Sequence, residues 1–210
     1  MAHLRKPLMA ALALNTVVLA VELVGGIRAN SLSLVMDGVH NVSDEAGLAF
    51  LALAYFLSTG LSSRFLRFAN LFNSVGFVAI SGVLIWEAVH RMLHPVPMLS
   101  LVAIVAGLIG AICNWGVARC LQGPSKEDAA IRLAYTHNLG DVLVSLVPVV
   151  SGILTLVTRR LLFDPLLALG IAAVIITGTI RAVIGSHQEL LWPEHVVCGG
   201  ARVQKSGART

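Results

Sequence analysis

Two short stretches of the chain repeat one pattern: Val39-His40-Asn41-Val42-Ser43-Asp44 and Thr136-His137-Asn138-Leu139-Gly140-Asp141 both read His-Asn-x-x-Asp. Residues four apart on a helix lie on the same face. Each stretch therefore offers an imidazole and a carboxylate one turn apart and pointing the same way. Set face to face, the two pairs place two nitrogens and two oxygens around one point. Zn²⁺ takes such a tetrahedral donor set at about 2.0–2.2 Å. His40, Asp44, His137 and Asp141 are accordingly the candidate metal ligands. Asp37 precedes His40 by three residues, so it either shares the ligand face as a supporting acceptor or caps the start of a helix. Asn41 and Asn138 point about 100° away from that face and read as contacts between helices. Glu22 and Asn15, seven residues apart, share a face and could line the same cavity, while Glu45 could equally face a neighbouring helix.

The elements that must carry these residues follow from composition. Of the 210 residues 57% are hydrophobic and only 12% are charged, against about 25% charged in an ordinary soluble domain. So little charge cannot cover a water-facing surface, and the chain reads as a membrane protein. Apolar runs separated by charges, glycines and prolines fall at roughly 7–27, 32–58, 66–92, 98–120, 128–157 and 164–189. The stretch Ala46 to Ser63 is continuously uncharged and rich in Leu and Ala, without the alternation that a barrel strand needs, so the spans are helices. No small-x-small cleavage site follows the first run, which is therefore a span and not a leader. The expected fold is an all-α membrane protein with six transmembrane helices over residues 1–191. Residues 192–210, rich in Gly, Arg and Lys, are expected to form a mostly disordered cytoplasmic tail.

Six spans put both termini on one side. Arg5, Lys6, Arg64, Arg67, Arg119, Lys126, Arg132, Arg181, Arg202, Lys205 and Arg209 fall on that side, and Arg28, Arg91, Arg159 and Arg160 on the other. The positive-inside rule makes the first, larger set cytoplasmic. Span two then runs inward and span five outward, so the two His/Asp pairs meet antiparallel, each on the second helix of its half. That arrangement is similar to inverted repeats with a site between halves. The net charge of +4 reads as membrane topology, and no nucleic-acid partner is expected.

Charge in a bilayer is costly, about 2.5–3.5 kcal/mol per residue even on the lenient insertion scale. One buried His/Asp pair alone could be a polar clamp between helices; two at matching positions favour a site. Weaker candidates are Glu87, His90 and His94 at the outer end of span three, which as exposed residues at a helix end are more simply solvated. His187, His195 and Cys198 near the tail have no fold to hold them together. Cys113, Cys120 and Cys198 make neither a CxxC pair nor an even set, and read as reduced and structural.

With these residues in hand, Ser31-Leu-Ser-Leu-Val-Met-Asp37-Gly-Val-His40-Asn-Val-Ser-Asp44, preceded by Glu22-Leu-Val-Gly-Gly, resembles the first two spans of the cation diffusion facilitator family. His137-Asn-Leu-Gly-Asp141 is similar to that family's span five, and Asp164-Pro165 to the start of its span six. The resemblance covers about residues 8–191. It implies a six-helix divalent-cation/proton antiporter that holds the transported metal at His40, Asp44, His137 and Asp141. A histidine at the head of each pair resembles the zinc-preferring members, and other divalent metals stay open. The chain departs from the family pattern in lacking a His-rich loop between spans four and five. It also departs in ending before the family's cytoplasmic metal-binding and dimerising domain could fold. A dimer through the transmembrane helices stays open.

The expected function is Zn²⁺ efflux from the cytoplasm coupled to proton influx. Alternatives are carriage of Cd²⁺, Co²⁺, Ni²⁺, Fe²⁺ or Mn²⁺, a membrane metalloenzyme, or a structural membrane protein. No HExxH or comparable base accompanies the ligands, so an enzyme is not expected. Zn²⁺ is expected as cargo, no organic cofactor is, and a prokaryotic inner membrane is the expected location.

Overall fold

In the computed structural model the described residues are 2–57 and 79–185. They form α1 (Ala2–Ala29), α2 (Leu32–Leu57), α3 (helical over 79–93), α4 (Ser100–Gln122), α5 (Ala129–Thr158) and α6 (Phe163–Gly185), with one 3-10 turn, Pro124–Lys126, between α4 and α5. All six expected helices are present, and their boundaries lie within a few residues of those read from the sequence wherever the chain is described. The tail from 192 onward, with His187, His195 and Cys198, lies outside the described residues. A helix satisfies its own amides and carbonyls, which is why uncharged Leu/Ala-rich runs settle into helices where water is absent. By length and composition Leu4–Ala29, Ser100–Gln122 and Ile131–Thr158 can each cross a bilayer. Within α2 the acidic residues Asp37, Asp44 and Glu45 dilute the apolar run.

Helices α1, α2, α5 and α4 close into a ring, and α6 packs against α2 and α5. At one end of the ring, Leu4, Leu8 and Ala11 of α1 meet Leu48 and Leu51 of α2, Val117 and Leu121 of α4, and Ile131 of α5. On the far side of α2, Met36 and Val39 pack against Ile171, Ala172 and Ile175 of α6, with Leu84 and Ile85 of α3 alongside. Small residues let α4 and α5 approach closely. A Cβ on Gly152 would come within 2.9 Å of the Ser100 carbonyl oxygen, and one on Gly107 within 3.0 Å of the Ser145 carbonyl oxygen.

The α1–α2 corner turns at Asn30, whose φ of 54° is left-handed and which hands the chain on as Ser31 N donates to Gly26 O at 3.0 Å. Arg91 of α3 bonds the Asn30 carbonyl at 2.8 Å and pairs with Glu87 at 2.8 Å. The start of α2 is capped from another helix. Asp164, in the first turn of α6, accepts from Leu32 N at 2.6 Å, Ser33 N at 3.3 Å, Ser31 Oγ at 2.7 Å, Ser33 Oγ at 2.6 Å and Ser151 Oγ of α5 at 3.2 Å. One buried carboxylate thus ties α2, α5 and α6 together at that end.

Candidate metal site

The sequence spacing puts His40 eight residues into α2 and His137 eight residues into α5, about 12 Å from the start of each helix at 1.5 Å per residue. Because α2 and α5 meet side by side, these two points converge, and the pairs interlock crosswise. His137 Nε2 lies 2.7 Å from Asp44 Oδ1, and His40 Nε2 lies 3.3 Å from Asp141 Oδ1. Within each helix the His–Asp separation is longer, 3.8 Å for His40–Asp44 and 3.9 Å for His137–Asp141. One ligand atom from each of the four residues lies within 4.8 Å of the other three. The edges of a tetrahedron around a cation with bonds of 2.0–2.2 Å are about 3.3–3.6 Å long. The observed separations bracket that length, which makes the four donors compatible with one tetrahedral ion after small side-chain rotations. The rings of His40 and His137 stand edge-on, 5.4 Å apart, which keeps one from blocking the other's approach.

Exposure differs among the four side chains. The side chains of Asp141, Asp44 and His40 are 4%, 7% and 14% exposed, whereas that of His137 is 48% exposed. His137 is the open rim of the cluster. With neutral imidazoles the two carboxylates carry a charge of −2, which a divalent cation cancels; in a dry setting a monovalent ion would leave charge uncompensated.

The remaining candidates fall into separate groups. Asn15 donates to Glu45 Oε2 at 2.9 Å and Thr16 Oγ1 donates to Glu45 Oε1 at 2.6 Å, so this trio clasps α1 to α2. Glu22 instead accepts from Asn41 Nδ2 at 2.6 Å and Ser145 Oγ at 3.2 Å. Asn15 and Glu22, though on one face of α1, thus serve different polar layers. Asp37 is completely buried, and no hydrogen bond of good geometry reaches either of its oxygens. Asn138 bonds its own helix at Ala134 O, 2.9 Å away. Near the C-terminal end of α3, Glu87 is taken by Arg91, and the His90 and His94 rings lie 4.9 Å apart. Among the described residues the His40, Asp44, His137, Asp141 group is the one set of three or more such side chains close enough together to hold a metal ion. Two participants escaped sequence reading: Asn114 of α4, which donates to Ser145 Oγ at 3.0 Å, and Ser145 itself. A lone Asn in an otherwise apolar span and a Ser one turn beyond Asp141 were the available signals.

Residues 8–191 match the cation efflux transmembrane domain. The chain is 28% identical to a zinc transporter, ZitB, of Yersinia pestis, over 89% of this chain and 62% of that protein. It is 28% identical to ZitB of Escherichia coli over 81% of this chain and 58% of the relative. A cadmium, cobalt and zinc/H(+)-K(+) antiporter of Bacillus velezensis is 30% identical over 71% of this chain and 51% of that protein. The chain spans about three fifths of the length of the curated zinc transporters it matches. The domain match over nearly all of the chain, together with six helices arranged as described, means that it belongs to the cation efflux family as a multi-pass, all-α membrane domain.

Proposed function

We propose that this chain carries a divalent metal ion, zinc foremost, out of the cytoplasm in exchange for protons, and that His40, Asp44, His137 and Asp141 hold the ion in transit. The observation that carries the proposal is the crosswise convergence of those four side chains from α2 and α5. The names of the relatives, a zinc transporter and a cadmium, cobalt and zinc antiporter, support the metal class. Mixed nitrogen and oxygen donors also suit Co²⁺ and Cd²⁺, so the N₂O₂ set favours borderline metals over Mg²⁺ and Mn²⁺ without singling out one.

Metal binding requires neutral imidazole and ionised carboxylate, so metal and protons compete for the same four groups. Moving a divalent cation out against 100 mV, inside negative, costs about 4.6 kcal/mol, and each returning proton offsets about half. On the positive-inside count both termini are cytoplasmic, and the membrane is the inner membrane of a prokaryote. Residues 8–191 are the transporting unit, and a second copy of the chain could join it through the helices. The test is zinc uptake into vesicles carrying the reconstituted chain under an imposed pH gradient. Uptake that needs the gradient and is lost in Asp44→Ala supports the proposal; equal uptake by wild type, Asp44→Ala and empty vesicles overturns it.

A further inference from the structure

One turn beyond the His/Asp cluster, toward the end where α2 begins, lies a second buried polar layer that the metal does not need. Asp37 is three residues before His40 on α2, and Ser145 is four residues after Asp141 on α5, so both continue the ligand faces. From α1, Glu22 reaches into the gap between them with no exposure at all. Its carboxylate accepts from Asn41 Nδ2 at 2.6 Å and from Ser145 Oγ at 3.2 Å, and Asn114 of α4 steadies that serine at 3.0 Å. The space for it is made by Gly110 of α4, where a Cβ would collide with Glu22 Oε1.

Asp37 lies close to Glu22 and near Ser145, His40 and Asp141. It too is fully buried, and no hydrogen bond of good geometry reaches either of its oxygens. Neither carboxylate forms an ion pair with Lys or Arg among the described residues. Two facing carboxylates in a dry interior repel each other and cannot both stay ionised without a compensating positive charge. A hydroxyl on one of them would remove a charge and offer the other a well-aligned donor.

We propose that Glu22 is a proton-carrying residue distinct from the metal ligands: it holds a proton against Asp37 while the His/Asp cluster is empty and gives it up when the metal arrives. This rests on the proposed function. On metal binding the O–H bond of Glu22 breaks, the electron pair stays on the carboxylate, and the proton passes to water. Rebinding from the opposite side, when that side is the more acidic, would help to expel the metal. The titratable groups facing Glu22 are Asp37 from α2, with His40 and Asp44 beyond it, Cys113 from α4, and Asp141 with His137 from α5. A layer apart from the ligands allows proton coupling without giving up the coordination that selects the metal.

The experiment titrates Zn²⁺ into the purified full chain by calorimetry, at one pH in two buffers of different ionisation enthalpy, to count protons released per zinc. Glu22→Gln keeps the shape and an accepting oxygen but cannot ionise. It should release about one proton fewer than wild type, and the slope of log affinity against pH should fall by about one. Glu22→Asp should restore the count. Glu22→Gln binding zinc with the wild-type proton count overturns the inference while leaving the proposed function standing. A wild-type chain that binds no zinc overturns both. Should Glu22→Gln fail to fold, infrared difference spectra of the wild type and Glu22→Asp should show a protonated-carboxyl band that is lost on zinc binding and displaced by the substitution; a band that is absent, or unmoved by Glu22→Asp, is equally fatal.

Discussion

Asp164→Ala is expected to be among the most destabilising single substitutions in the chain although it lies outside the His/Asp cluster. The wild-type carboxylate accepts five hydrogen bonds of 2.6–3.3 Å, two from backbone amides at the start of α2 and three from serine hydroxyls on α2, its N-terminal flank and α5. Alanine removes the acceptor and leaves those groups buried. The hydroxyls can turn to each other, since Ser31 Oγ and Ser33 Oγ are already 3.3 Å apart, so the two amides dominate the loss. A lost helix cap costs about 0.5–2 kcal/mol, and a buried hydrogen bond to a charged group contributes about 1.5–3 kcal/mol. These contributions overlap, which places the expected cost at about 3–5 kcal/mol. Asp164→Asn retains one oxygen but turns an NH₂ toward an amide donor, and should cost about half as much. The measurement is reversible unfolding in mixed micelles of increasing SDS fraction, followed by circular dichroism. An Asp164→Ala midpoint within about 1 kcal/mol of wild type would show that the serines and α2 amides find other partners, and would refute the role of this carboxylate as a joint between three helices.

Asp44→Ala and Asp141→Ala each delete a charged donor with little packing, so equilibrium zinc affinity should fall by at least about 100-fold while helix content stays unchanged; isothermal titration and circular dichroism check the two halves. His40→Asp replaces a borderline nitrogen with a hard oxygen, and in competition experiments should raise the preference for Mn²⁺ relative to Zn²⁺; an unchanged ratio would mean that His40 does not touch the ion. Gly152→Ala drives a methyl against the Ser100 carbonyl oxygen and Ile104, 2.9 Å and 2.6 Å from the built Cβ, and should cost about 1–3 kcal/mol of stability in the same SDS titration.

The His-Asn-x-x-Asp repeat was legible because its meaning depends on helix periodicity alone: once both stretches are helical, each pair must share a face. Helix number was legible for the same kind of reason, since bilayer thickness fixes the length of an apolar run. Partner choice between helices was not. Nothing in the spacing says that His137 sits closer to Asp44 than to its own neighbour Asp141, because that depends on the relative height of α2 and α5. Asn15 and Glu22 share a face in sequence, yet the two turns between them, about 10 Å of rise, hand one to Glu45 and the other to Asn41. Asp164 shows the limit most plainly, because four of its five hydrogen bonds come from residues more than 130 positions away, at the start of α2 and just before it. A carboxylate at a helix start reads locally as serving its own helix, and only the packed bundle shows that it serves another.

The crosswise pairing has a mechanical corollary. Coordination tolerates displacements of only about 0.2 Å, whereas sliding one helix past another by a single residue moves every side chain on it by about 1.5 Å. Both short contacts, His40 to Asp141 and His137 to Asp44, bridge α2 and α5, so such a slip would stretch both at once. An ion gripped by all four side chains therefore acts as a rivet through the two helices. The bundle centre should be stiff when loaded and free to shear when empty, and the grip should fail abruptly, within a fraction of one residue's rise.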